Sequence, residues 1–294
     1  MSTSFESLKQ SQNNLDSLTK ALEDSVEKTS TNTKNPYVDD RFWKPEVDKS
    51  GNGYAVIRFL PAIEGENLPW ARVWSHAFQG PGGWYIENSL TTLNQKDPVS
   101  EENTRLWNSG VEADKEIARK RKRKLSYIAN VYIVNDPKHP ENEGQVKLYK
   151  FGKKIFDKIS ETLNPEFDDE KAINVFDFWK GANFKLKIRK VDGYWNYDKS
   201  EFEAPAPLSA DDKILESIWK KQYPLKSFLD SSNFKSYDEL KAKLEKVLLG
   251  TGSVSTAEKT NLPPKEQSTQ QTIASESIDG DDTLSYFSKL AEAE

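Results

Sequence analysis

Residues 184 to 191 read Phe-Lys-Leu-Lys-Ile-Arg-Lys-Val. Side chains along a strand point alternately to opposite faces, so Phe184, Leu186 and Ile188 fall on one face and Lys185, Lys187 and Arg189 on the other. The stretch predicts a half-buried strand with a cationic stripe. Further strand-like runs occur at 54–60, 70–78, 84–88, 125–134 and 146–151, separated by Gly, Pro, Asn or Asp turns. Helices are expected at 153–163, 211–222 and 236–248. The last opens with Ser236-Tyr237-Asp238-Glu239, a capping-box pattern, and ends before Gly250. An α+β, mainly β core over 36–250 with peripheral helices follows.

Both ends differ in composition from this core. Over residues 1–35, Phe5, Leu8, Leu15, Leu18, Leu22 and Val26 are spaced for one helical face among polar residues, which predicts a helical N-terminal arm. Ser30 to Pro36 reads as a linker. Through Leu8, Leu15, Leu18 and Leu22 the arm either self-associates with another molecule or docks on its own core. The 251–294 segment turns to Ser, Thr, Gln and Pro, and from Asn261 onward it holds seven acids against two lysines. That net −5 equals the charge of the whole chain, so the preceding residues balance to neutrality. A disordered acidic tail is expected, able to compete for a basic cleft or to bind partners through Leu284, Phe287 and Leu290.

Zero cysteines exclude disulfides, thiolate metal sites and a Cys nucleophile, and the two histidines, His76 and His139, have no neighbouring Ser and acid that would suggest a triad. No apolar stretch approaches the roughly 18 to 20 residues of a membrane span. Met1 to Phe5 shows neither a basic nor an apolar leader region, so a cytoplasmic protein is expected. A phosphate-cradling Gly-x-x-x-x-Gly-Lys-Ser/Thr loop is absent, which disfavours an ATPase. A magnesium-dependent nuclease is the enzymatic alternative, but no spaced acidic cluster demands it, and Asp168-Asp169-Glu170 reads as a loop or helix start.

Chemistry concentrates where cations meet aromatics. Arg119 to Lys124 are six consecutive cations running into a strand with Tyr127 and Tyr132. Cations compensate phosphates and an aromatic face stacks on an unpaired base, so the pattern favours single-stranded nucleic acid, DNA or RNA. A solvated basic loop or a localisation signal before a buried strand is the other reading. Tyr149-Lys150-Phe151-Gly152-Lys153-Lys154 is a second such group, and Tyr194, Trp195 and Tyr197 cluster in a turn after the cationic stripe.

Several blocks, in order, carry a family resemblance: Gly51 to Pro61, Trp84 to Glu87, Asn135 to Pro137, Pro140 to Gly144, Tyr149 to Ile155, Gly181 to Phe184 and Asn196 to Asp198. Over roughly residues 50 to 200 the chain resembles the T-even-type bacteriophage single-stranded DNA-binding proteins, helix-destabilising proteins of DNA replication, recombination and repair. The resemblance implies an OB-fold-like barrel core with a basic cleft, an arm for cooperative self-association, and a tail that contacts phage replication proteins. These would be the polymerase, primase, helicase loader and recombination mediators, in the cytoplasm of an infected bacterial host. It implies cleft cations at Arg58, Lys122, Arg123, Lys124 and Lys150, and stacking rings at Tyr127, Tyr149, Tyr194 and Tyr197. Local chemistry adds Lys153, Lys154 and Trp195.

Two departures from the family pattern stand out. Family members hold zinc with one His and three Cys, positions that correspond here to His76, Ser89, Asp97 and Ser100. Hydroxyls do not replace thiolates at a tetrahedral zinc site, so no cofactor is expected and the subdomain would be metal-free, packed instead around Trp70, Trp74, Trp84 and Trp107. The family's basic arm motif is reduced to Lys9-Gln10-Ser11-Gln12, with a single cation.

Overall fold

The computed structural model describes residues 39–167 and 169–249. The expected arm and tail, with Leu8, Leu15, Leu18, Leu22, Leu284, Phe287 and Leu290, lie outside the described residues. Two units divide the chain, Met1–Arg41 and Phe42–Glu294. In the first, Arg41 forks onto the Asp39 carboxylate.

The second unit is mixed and mostly sheet. Its strands are β1 (Phe42–Trp43), β2 (Gly53–Phe59), β3 (Ala71–Gly80), β4 (Gly83–Asn88), β5 (Lys124–Asn135), β6 (Val146–Phe151), β7 (Phe184–Val191), β8 (Tyr194–Asn196) and β9 (Glu201–Phe202). Its helices are α1 (Pro98–Asn108), α2 (Glu112–Lys120), α3 (Lys153–Leu163), α4 (Asp212–Lys220) and α5 (Tyr237–Leu249). The main order is β1-β6-β5-β2-β7-β8, with β3 on β5, β4 on β3 and β9 on β7. The long β5 organises the sheet. One edge pairs with β6 throughout, while the other pairs first with β3 (Ala71 opposite Ile128) and then with β2 (Phe59 opposite Val131).

The alternation of β7 is observed: Phe184, Leu186 and Ile188 are buried. They join Ile57, Phe59, Tyr127, Ala129, Val131, Tyr149 and Phe151 in the principal core, which α3 closes with Ile155 and Ile159. A second core lies between the β3–β4 hairpin and α5, formed by Phe78, Tyr85, Leu90, Val99, Leu240, Leu244 and Val247. The capping box of α5 forms, with the Ser236 amide donating to Glu239 Oε2 at 2.8 Å. At Gly80 a Cβ would lie 2.5 Å from the Val247 carbonyl oxygen, so only glycine lets the hairpin approach the helix.

Two helices were not read from the sequence, α1 and α2. A signal for α1 is present: Asp97 caps it by accepting from the Ser100 amide, and Pro98 occupies the first turn. Two of the four tryptophans expected to pack a separate subdomain, Trp70 and Trp107, do not pack in its core. Trp70 packs on Phe156 and Phe176 of the principal core, and Trp107 is half exposed beneath Arg119. Phenylalanine, tyrosine and leucine of the second core do that packing.

Candidate nucleic-acid interface

The six-cation run divides into three environments. Arg119 and Lys120 end α2, where positive charge suits the helix dipole, and Arg119 pairs with Glu112 and Glu116. Arg121 lies half-buried over the Phe78 ring. Lys122 is exposed in the turn, and Arg123 places its guanidinium 4.1 Å from the centroid of Trp74. With Lys124 the chain enters β5.

Register shows what shares a face with Arg123. Arg72 is opposite Tyr127 and Trp74 opposite Leu125, while Tyr127 is in turn opposite Phe151. Residues directly across an antiparallel pair lie on the same face, so Arg72, Trp74, Leu125, Tyr127 and Phe151 form one row. Lys153 follows Phe151 at the start of α3 and interacts electrostatically with Tyr127, as Arg72 does. Burial pushes the Tyr127 hydroxyl up, partly offset by Arg72. The row thus has an apolar floor and a cationic rim of Arg72, Arg123 and Lys153, with exposed Lys154 beside it. Asp157 pairs with Lys153 at 2.6 Å and partly neutralises it. Lys124 and Lys150 project from the other face, where Lys150 is opposite Ile128.

Three aromatics expected to stack on bases are core residues. Tyr127 is 6% exposed and lies parallel to Phe156 with ring centroids 3.9 Å apart. Tyr149 packs between Trp43 and Phe151, and Tyr197 joins the same cluster. In this conformation none of the three offers a ring face to a base. Phe156 of α3 covers Tyr127, and Tyr149 and Tyr197 are taken up by the core cluster that Ile155 and Ile159 also join. Trp195 leans on the same core, whereas Tyr194 is half-buried on the opposite face with Arg189 and Lys187. Tyr54 shares that face, opposite Lys187, and is 41% exposed, an aromatic that the sequence reading missed.

The cationic stripe of β7 is matched by acids. Lys185 pairs with Glu203 at 3.0 Å, Lys187 with Glu201 at 2.8 Å, and Arg189 with Asp198. These carboxylates already neutralise it, so little charge is left to hold phosphates.

Arg58 is also not at a surface, being 1% exposed. Its guanidinium donates to the Ala206 carbonyl at 2.6 Å, the Asp177 carbonyl at 3.2 Å and Asn183 Oδ1 at 3.2 Å. Burial pushes its pKa down, opposed by Asp177 and Glu203. Arg58 joins three chain segments as an internal cation rather than lining a cleft.

The four positions that correspond to the family's zinc ligands do meet. Asp97 is the hub: Oδ1 is 3.1 Å from His76 Nε2 and accepts from the Ser100 amide at 2.9 Å, while Oδ2 accepts from Ser89 Oγ at 2.9 Å and the Leu90 amide at 3.1 Å. Burial opposes ionisation, yet His76, the Ser100 amide and Ser89 together hold the Asp97 carboxyl well below its usual range. Both oxygens are committed to hydrogen bonds, and no group of three metal-holding side chains occurs among the described residues. This donor set does not fit a zinc ion.

A surface of this kind holds a polyanion by charge and a flat ring by stacking, and places the chain among nucleic-acid-binding proteins. Residues 51–248 match the family described as gp32 DNA binding protein like, and the chain belongs to that family. It is 39% identical over 219 residues to the single-stranded DNA-binding protein of Enterobacteria phage T2, covering 72% of this chain and 71% of that protein. The single-stranded DNA-binding protein of Enterobacteria phage T4 is 39% identical over 228 residues, 74% of each chain. A shorter match, 47% over 55 residues, links 19% of this chain to 49% of the single-stranded DNA-binding protein of Escherichia phage SV14.

Proposed function

We propose that this chain binds single-stranded DNA along the rim of Arg72, Lys122, Arg123, Lys153 and Lys154, without strong sequence preference. It is a binding protein and not an enzyme. The observation that carries this site is the Arg123 guanidinium lying over Trp74, on the sheet face that also carries Arg72. A guanidinium plane over an indole offers phosphates a charge and an unpaired base a flat, polarisable surface. Duplex bases are already stacked and cannot use that surface, so binding draws DNA towards single strands by mass action.

Charge contacts are tested by salt. Each phosphate neutralised contributes roughly 0.7 to the slope of log affinity against log salt for a single strand. Arg123→Ala is expected to flatten that slope by about 0.7 and to weaken oligo(dT) binding, measured by fluorescence titration. An unaltered slope would assign the basic run to solvated charge. Competition between matched DNA and RNA oligonucleotides decides the sugar preference, because the 2′-hydroxyl is the group that differs.

The antiparallel path through β3, β5, β2 and β7, closed by α3, supports an OB-fold-like reading of the core. Family membership and composition support the wider reading. In it the arm gives cooperative self-association, and the acidic tail meets phage replication proteins during replication, recombination and repair in the bacterial cytoplasm. The polar hub supports a core without zinc. Purified protein is expected to hold less than stoichiometric zinc and to keep its unfolding temperature in EDTA. Stoichiometric metal, or unfolding by the chelator, would overturn this.

A further inference from the structure

Lys122, Arg123 and Lys124 follow directly on the Arg121 carbonyl, and the structure shows what grips it. The Arg121 carbonyl oxygen accepts from Asn103 Nδ2 at 3.0 Å and lies 3.2 Å from His76 Nδ1. His76 is 1% exposed, and its other ring nitrogen faces Asp97, which is equally buried. Asp97 in turn caps α1, the helix that carries Asn103. Both side chains that reach the Arg121 carbonyl are therefore set by one carboxylate, through the ring in one case and through the helix in the other.

The basic run needs such a grip. Residues 121 to 123 lie between the end of α2 and the start of β5, so neither helix nor ladder hydrogen bonds hold this turn throughout. Lysine and arginine side chains lose considerable rotamer freedom on ordering, so phosphate contacts gain from a fixed backbone beneath them.

We propose that His76 and Asn103 are positioning residues for DNA binding: with Asp97 behind them, they fix the Arg121 peptide so that Lys122 and Arg123 project along the rim beside Trp74. The hub touches no DNA. It sets the geometry of the cations that do, and it does so with hydrogen bonds in the place where the family's zinc would stand. This inference rests on the reading of Lys122 and Arg123 as phosphate contacts.

The test uses the full-length protein, fluorescent oligo(dT) and a salt titration below the unfolding transition, with circular dichroism confirming the fold. Lys122→Ala and Arg123→Ala come first. If neither changes the salt slope, the reading of the rim fails and the proposal falls with it. If they do, Asn103→Ala and His76→Gln are expected to flatten the slope by about 0.7 while remaining folded. Amide exchange is expected to accelerate at residues 121–123 and to stay unchanged in α5. A merely structural role would lower the unfolding temperature but leave the slope of the folded protein as in the parent. Should His76→Gln fail to fold, Asn103→Ala alone decides, and an unchanged slope in that variant overturns the proposal.

Discussion

Tyr127→Ala is expected to lower the free energy of unfolding by about 3–5 kcal/mol, the scale for removing a large buried aromatic. The ring is sandwiched in the principal core, stacked on Phe156 and near Phe151, so truncation opens a cavity between β5 and α3. Its hydroxyl end lies by contrast within the electrostatic reach of Arg72 and Lys153. Tyr127→Phe keeps the packing and removes only that hydroxyl, and is expected to stay close to the parent in stability. Urea unfolding monitored by far-ultraviolet circular dichroism separates the two variants. A stable Tyr127→Ala with weakened DNA binding would restore Tyr127 as a stacking platform and remove the sealed core proposed under α3.

Arg58→Ala is expected to cost about 3–5 kcal/mol, as when one partner leaves a buried, hydrogen-bonded charge. The substitution strips donors from the carbonyls of Ala206 and Asp177 and from Asn183, all far away in the chain, and removes the buried cation near Asp177, while Glu203 keeps its pairing with Lys185. Water is not close enough to repair those losses in a residue 1% exposed. The salt slope of oligo(dT) binding by the folded fraction is expected to match the parent. A flattened slope with unchanged stability would instead put this guanidinium on a phosphate.

Several features were legible because their signals are local. The alternation of Phe184 to Val191 declared its buried face, since neighbouring side chains in a strand necessarily diverge. Ser236 and Glu239 announced the start of α5 through hydrogen bonds that span a single turn. Family resemblance pointed to His76, Ser89 and Asp97 as a group, and they touch in the structure, although as hydrogen-bond partners. The division of Arg119 to Lys124 could also be anticipated: Glu116 and Glu112, one and two turns before Arg119, neutralise it, while Lys122 and Arg123 lie beyond their reach.

Burial of the rings was not legible. Tyr127, Tyr149 and Tyr197 stand beside cations in the sequence and look like a stacking surface, yet all three are core residues, Tyr127 against Phe156 of α3 and Tyr149 against Trp43. Tyrosine serves a core and a surface equally well, having an apolar body and one polar atom. The ion pairs of the β7 stripe were equally hidden, because Glu201, Glu203 and Asp198 meet the lysines and the arginine only when the chain folds back through β8 and β9.

By itself, the sequence determined the strand alternation, the late helices, the absence of cysteine chemistry and the presence of concentrated positive charge, all properties of residues within a few positions of one another. Only the tertiary structure decided which cations remain at the surface, which rings are spent on the core, and that Arg58 is buried while Arg72 shares a sheet face with Trp74. The physical reason is that exposure and charge compensation depend on what packs against a face, and here those partners come from distant strands and from α3.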